Sequence, residues 1–319
     1  VTATSDIRSL VYGPVPSRRL GRSLGVDLVP FKTCTYDCVY CQLGPTTHKT
    51  ATRERLVEPR RVLDQVRGRL DSRPDVIALA GSGEPTLYAG LGDVVDGIKA
   101  MADIPLVVIT NGSLLGRPDV QRDLAAADIV LPSLDAVDDA SYRAINRPRA
   151  DLRFEELLDG MAAFRASFSG KIWLEIMLLD GVTGTGPMVE KLARHADRIA
   201  PDRIQLNTVV RPPAEQDARP VSPEMLAHFT TAFRPRAEVI AGGPELNPDQ
   251  EATAAEVLTL ISRRPCRVAD VAAGMGIHQN TALKALTALV ERNEAQRRDH
   301  SGGVFYAAAD RVLPDVEEP

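Results

Sequence analysis

The sequence predicts an α/β fold: a partial (β/α)6 barrel with a small, separate C-terminal domain. Two observations carry this. Short β-branched runs alternate with amphipathic stretches of helical length over the first 240 residues, as in a parallel sheet with crossover helices. Past a segment dense in Gly, Pro and Asn the pattern then changes. At 319 residues the chain exceeds the usual single-domain length, and 44% apolar with 25% charged residues is ample for a core.

The strand runs are SLGVDLV (23–29), VIALA (76–80), LVVIT (106–110), DIVLPSL (128–134), IWLEIML (172–178) and RIQLNTVV (203–210). Between them EPRRVLDQVRGRL, VDGIKAM, FEELLDGMAAFRASF and PMVEKLARHA repeat apolar residues every three or four positions, and Asp138 is placed to cap a helix. AEVI (237–240) is too short to assign. The expected domains are a barrel over 1–240, a linker over 241–250, a second domain over 251–310 and a tail over 311–319. In the second domain EVLTLISRR ends at Pro265, VADVAAGMG ends on glycine, and HQNTALKALTALVERN precedes two strands joined through Ser301, Gly302 and Gly303. This order resembles a winged helix.

The net charge of −5 gives no overall pull toward nucleic acid or anionic membrane. No stretch approaches the about 18 apolar residues of a membrane span, and the start VTATSDIRSL does not read as a secretory signal. The expected location is cytoplasmic, with no membrane partner. Four cysteines, three of them clustered, make a poor disulfide framework and suit metal binding better.

Those three, Cys34, Cys38 and Cys41, have the spacing C-x3-C-x2-C on one loop after the first strand run. Structural zinc takes four ligands, and His48 is the only nearby fourth. An iron–sulfur cubane held by three cysteines leaves one iron open to a small molecule. The run C-T-Y-D-C-V-Y-C, with Tyr40 before the last cysteine, resembles the signature of the radical S-adenosylmethionine (SAM) superfamily. The resemblance implies a [4Fe-4S] cluster on Cys34, Cys38 and Cys41. It also implies S-adenosyl-L-methionine on the fourth iron and an external electron donor. Its chemistry would be reductive cleavage of SAM to methionine and a 5′-deoxyadenosyl radical, which takes hydrogen from a substrate.

Working residues in parallel barrels sit at the carboxyl ends of strands. GSGEP (81–85) follows the second run; the superfamily's Gly-Gly-Glu segment binds the methionyl amine, which the resemblance assigns here to Gly83 and Glu84, with Ser82 interrupting the glycine run. Thr110 and Asn111 at the third strand end suit a ribose or form a plain Asn-Gly turn; Ser133 and Asp135 suit it at the fourth. Tyr40 and Asn207 complete the expected cofactor set. Glu175 shares one face of its strand with Trp173 and Met177, and Gln205 shares a face with Asn207. These polar groups meet either a ligand or one another. No catalytic hydrogen donor is identified.

The segments YGPVPSRRLGRSLGVDLVP and SLDAVDDASYRAINRP resemble the tRNA wyosine synthase branch of the superfamily, over about residues 10–240. This implies Arg147 near the substrate, and Arg18 and Arg19 either there or in a solvated basic turn; Glu175 and Gln205 are expected near the substrate from the inward polar face of their strands. Wyosine synthases carry a second cluster on further cysteines; only Cys266 remains here, so that activity does not transfer. In the C-terminal domain His278, Gln279, Asn280, Thr281, Lys284, Arg292, Arg297 and Arg298 could contact nucleic acid or a protein. The expected function is a radical SAM enzyme acting on tRNA, a peptide or protein, or a small molecule; a DNA-binding redox regulator is the alternative.

Overall fold

The computed structural model describes residues 10–17, 19–240, 254–275, 277, 279–300 and 303–309. Arg18, His278, the 241–250 segment and the 311–319 tail lie outside the described residues.

Strands β1 (Val11–Ser17) and β2 (Gly21–Val26) form an antiparallel hairpin. The chain then enters the cysteine loop, where β3 (Thr33–Cys34) and β4 (His48–Lys49) make a two-residue parallel ladder. Alternation follows: α1 (Pro59–Arg67), β5 (Val76–Leu79), α2 (Leu91–Met101), β6 (Leu106–Thr110), α3 (Pro118–Leu124), β7 (Ile129–Pro132), α4 (Asp139–Ile145), α5 (Phe154–Ser167), β8 (Lys171–Leu178), α6 (Gly186–Ile199), β9 (Arg203–Thr208), α7 (Pro223–Phe229) and β10 (Glu238–Val239). The sheet order is β1-β2-β5-β6-β7-β8-β9-β10, parallel from β2 onward. All six expected runs are strands in this sheet. Two features differ from expectation: β1 adds an antiparallel edge, and the short AEVI run supplies β10. Asp138 caps α4 through a reciprocal pair with Ser141.

Strand parity explains how the sheet is covered. Ile172, Leu174, Ile176 and Leu178 on β8, with Ile204 and Leu206 on β9, join the core beneath the helices. The alternate residues face the other way. At the amino ends Val76, Val107, Ile129 and Trp173 belong to a small apolar cluster; toward the carboxyl ends the same face presents Ser133, Glu175, Met177 and Asn207 to one cavity. One face thus has an apolar floor and a polar mouth.

The second domain comprises α8 (Ala254–Arg263), α9 (Val268–Met275), α10 (Gln279–Glu291) and a hairpin of β11 (Ala295–His300) with β12 (Gly303–Ala308). Val257, Leu260, Ile261, Cys266, Leu286 and Leu289 form its own core. It docks on the β1 edge: Val15 packs against that core, Arg263 pairs with Asp27, and the Arg263 guanidinium lies 4.7 Å over the Tyr12 ring. Among the described residues no helix is long and apolar enough to cross a membrane.

Neighbouring positions on β8 separate the two faces. Leu174→Ala opens a hole in the fully buried helix-side core and is expected to cost about 2–5 kcal/mol. Trp173→Phe removes an indole N–H that has no acceptor among the described residues, so its cost is expected to be below about 1 kcal/mol. Urea midpoints of the two variants check the contrast.

Candidate cofactor site

The loop from Asp27 to Gly44 connects β2 to the rest of the barrel, and backbone bonds to three neighbours set its path. Lys32 N donates to the Ser82 carbonyl at 2.7 Å, and Glu84 N donates to the Thr33 carbonyl at 3.0 Å. Asp37 N and Val39 N donate to the carbonyls of Asn146 and Ile145 at 3.0 and 2.9 Å. Thr50 N donates to the Cys34 carbonyl at 3.0 Å. Gly83 is required by the second of these contacts: a Cβ there would stand 1.9 Å from the Thr33 carbonyl oxygen.

Each of the three half-buried thiols receives a side-chain N–H donor. Asn111 Nδ2 lies 3.5 Å from Cys34 Sγ, Asn146 Nδ2 3.6 Å from Cys38 Sγ, and Lys32 Nζ 3.3 Å from Cys41 Sγ. Burial pushes the Cys34 thiol up to about 12, with the Glu84 carboxylate adding to the shift. It drives Cys38 well above the ordinary thiol range too, helped by Cys34 and Cys41. Thiols held this way are unreactive on their own, and metal coordination is what deprotonates them. The donors are matched to sulfur ligands that carry charge.

A mononuclear zinc fits less well. Its thiolates bond at about 2.3 Å and so converge closely, yet among the described residues no group of three His, Cys, Asp or Glu comes together to hold one ion. His48, the nearby candidate that a zinc site would need as its fourth ligand, is exposed. The three-thiol loop with separate donors fits a larger polynuclear centre.

Tyr40, Cys41, Gly83, Ser133, Glu175 and Asn207 line a cavity of about 660 Å³ at the carboxyl ends of the strands. Glu175 anchors its wall, accepting from Asn207 Nδ2 at 2.8 Å and pairing with Arg19, which also lines it. Four expected cofactor residues instead stand behind the wall. Glu84 is 2% exposed, and its carboxylate accepts from Thr86 N and Oγ1 at 3.1 and 2.6 Å, Thr110 Oγ1 at 2.6 Å and Asn111 N at 2.7 Å. Burial pushes its pKa up and these donors pull it back. Glu84 therefore spends its carboxylate holding Thr110 and Asn111 in place, and Asn111 in turn reaches Cys34. Asp135 accepts from Met177 N at 2.9 Å, Asn146 Nδ2 at 3.0 Å and the Tyr40 hydroxyl. Burial lifts it to about 6 against those bonds.

Two expected substrate residues are placed elsewhere. Arg147 follows the end of α4 in a left-handed conformation (φ 44°), and its exposed guanidinium bonds Glu215 at 2.6 Å, outside the cavity wall. Gln205 is 1% exposed beside the cavity rather than on it, and its Oε1 has no hydrogen-bond partner among the described residues. Lys32 and Asn146 were not singled out in the sequence. Both lie in conspicuous stretches, FKTC and AINRP, but no spacing rule brings residue 146 to residue 38. The arginines that the C-terminal domain adds to the cavity, Arg263, Arg264 and Arg267, were likewise not foreseen.

Gly83→Ala is expected to push the Thr33 carbonyl and the cysteine loop off the strand end. A cost of about 1–3 kcal/mol and loss of most metal uptake should follow, read by thermal unfolding and by iron content after loading.

A sequence model of the Radical SAM superfamily matches residues 28–193. A UPF0026 protein of Methanocaldococcus jannaschii is 33% identical over 308 residues, covering 93% of this chain and 95% of that protein. A protein named GTPase Obg from Brachyspira hyodysenteriae is 31% identical over 304 residues; they make up 93% of this chain, which spans only 45% of that protein's length. Among solved structures, a radical SAM methyltransferase from Sphaerobacter thermophilus shares the fold, with a TM-score of 0.53 at 21% identity over 68% of this chain and 65% of that one. The relatives from Methanocaldococcus jannaschii and Helicobacter pylori are UPF0026 proteins and not wyosine synthases, which corrects the branch suggested by the flanking segments. The superfamily uses a [4Fe-4S] cluster and SAM. The chain belongs to the radical SAM superfamily and, within it, to the UPF0026 proteins.

Proposed function

We propose that the protein is a radical SAM oxidoreductase that cleaves S-adenosylmethionine reductively and modifies a substrate lodged in the cavity between the barrel and the C-terminal domain. The observation that carries the reading is the arrangement of three thiols, each with its own N–H donor, on a loop that opens into that cavity. When bound, the cluster and SAM supply a one-electron cleavage of the sulfonium C–S bond to methionine and a 5′-deoxyadenosyl radical, with an external donor providing the electron. Cys34, Cys38 and Cys41 hold the centre. Lys32, Asn111 and Asn146 offset its charge. Gly81 and Gly83 bring backbone close to the cofactor space, while Tyr40, Ser133 and Asn207 offer hydroxyl and amide groups to the nucleoside. Glu84 and Asp135 position this set from behind.

The C-terminal helices and hairpin read as a winged helix whose role is to close the cavity. In a DNA-binding regulator the start of α10 would face outward; here Gln279 lines the cavity with Arg267. On the hairpin side Arg292 pairs with Glu294 at 2.9 Å and Arg297 with Asp299 at 3.7 Å, while Arg298 bonds Gln296 at 3.3 Å, so two of these three arginines offer a nucleic acid reduced positive charge. The tRNA option among the expected substrates drew on the wyosine resemblance and loses that support.

Protein reconstituted anaerobically with iron and sulfide should convert SAM to 5′-deoxyadenosine and methionine under dithionite, followed by chromatography. A zinc content with no 5′-deoxyadenosine would sink the reading. Cys34→Ala, Cys38→Ala and Cys41→Ala should each abolish cluster absorbance, whereas Cys266→Ala, in the separate C-terminal core, should retain it. Lys32→Met should make the cluster harder to reduce, since the ammonium beside Cys41 favours the more negative reduced state. A hydrogen bond worth roughly 0.5–1.5 kcal/mol corresponds to about 20–60 mV for one electron. Redox titration followed by electron paramagnetic resonance checks the sign.

A further inference from the structure

The cavity has two ends. Near the cysteines it is lined by Tyr40, Cys41 and Gly83; away from them it is walled by Arg211, which follows β9, and by Arg263, Arg264 and Arg267 at the end of α8 and the start of α9. With Arg19, five arginines line it against two carboxylates, Glu175 and Asp270, in a chain whose net charge is −5. The positive charge is concentrated there against the overall balance of the chain.

Three of the five arginines meet a carboxylate. Arg19 is committed to Glu175, Arg263 to the buried Asp27, and Arg267 to Asp270 at 3.2 Å. Half-buried Arg264 makes no ion pair among the described residues. Arg211 and Arg264 both act electrostatically on the Cys266 thiol, and Arg211 also helps hold Asp270 below the usual carboxylate range against its burial, which sets the barrel arginine against those of the C-terminal domain. Guanidinium groups crowded into a partly desolvated cavity repel one another, and a ligand with several acceptor oxygens relieves that repulsion. Their planar forks suit bidentate contact with phosphate. SAM carries no phosphate, and its amine and carboxylate are expected at the open iron at the opposite end.

We propose that Arg211, Arg264 and Arg267 form a phosphate-binding subsite, and that the substrate is a small phosphorylated molecule held with its phosphate at the C-terminal domain and its reacting carbon toward the cysteine loop. This rests on the radical SAM reading of the same cavity and names its substrate class. The size of the cavity falls within the range of small-molecule sites. The C-terminal domain covers one side of it, and Arg297 of the hairpin is paired with Asp299, so a small phosphoester is favoured over a polynucleotide.

Isothermal titration of the full chain, loaded with iron and sulfide, against inorganic pyrophosphate tests this. Wild type is expected to bind, Arg264→Gln and Arg211→Gln each to weaken binding about tenfold or more, Arg264→Lys to restore part of it, and Arg297→Gln on the hairpin to leave it unchanged. Unchanged affinity in both arginine-to-glutamine variants overturns the proposal. So does a short single-stranded RNA that binds more tightly than pyrophosphate and is released by Arg297→Gln. Pyrophosphate binding needs no electron, and dithionite-driven cleavage of SAM needs no phosphate. Binding without 5′-deoxyadenosine therefore defeats the radical reading alone, and 5′-deoxyadenosine without arginine-dependent binding defeats the phosphate subsite alone.

Discussion

A loop carrying three half-buried thiols and only a two-residue ladder of its own cannot hold its shape unaided. Its geometry comes from the strand ends it touches, and the closest touch is the Thr33 carbonyl against Gly83, where there is no room for a side chain. The rest of the site is built outward from this contact. Glu84, one residue on, donates its backbone N–H to the same carbonyl and gathers Thr110 and Asn111 with its carboxylate; Asn111 then reaches Cys34. A second chain runs from Asp135 through Asn146 to Cys38. Two buried acids thus orient the amides beside two of the thiols.

The same logic explains why hydrogen-bond donors stand beside the cysteines even though Cys34 and Cys38 also pack against the apolar core. A polynuclear centre with thiolate ligands carries negative charge, and burying that charge without donors is costly. Lys32 is 3% exposed and its ammonium donates to a sulfur, an arrangement expensive for an ammonium unless the sulfur side is anionic. The loop is thus built for a charged occupant, and its apolar neighbours Tyr36 and Tyr142 close the side away from the cavity.

The strands were legible in the sequence because parallel strands buried on both faces leave continuous β-branched runs, as in VIALA and LVVIT. The edge strand β1 was not, since VYGPVPS has two prolines and a glycine and owes its place to pairing with β2. The cysteine ligands were legible because they lie close in sequence. Glu84, Thr110 and Asp135 were rightly marked as polar strand ends, but which side of the cavity wall a carboxylate occupies depends on how many donors its neighbours offer, and those come from residues tens of positions away. Arg147 illustrates the limit: its role was inferred from a neighbouring motif, whereas a left-handed turn sends its side chain out to Glu215. Asn146, the residue before it, is the one that points in.

Asp27 joins the two parts of the molecule. Its carboxylate takes the Ser82 N–H at 3.0 Å and the Ser82 hydroxyl at 2.5 Å, fixing the glycine-containing loop beside the cysteines, and it also pairs with Arg263 of the C-terminal domain. A buried ion pair adds little net stability once desolvation is counted, so its main effect is on placement. Apolar packing of Val15 into the C-terminal core supplies attraction with little direction. The Asp27–Arg263 pair and the Arg263–Tyr12 stacking supply the direction, and they orient the end of α8 so that Arg264 and Arg267 face the cavity. The register of the substrate wall is in this way tied to the cofactor loop through one carboxylate, which gives the two halves of the cavity a common reference.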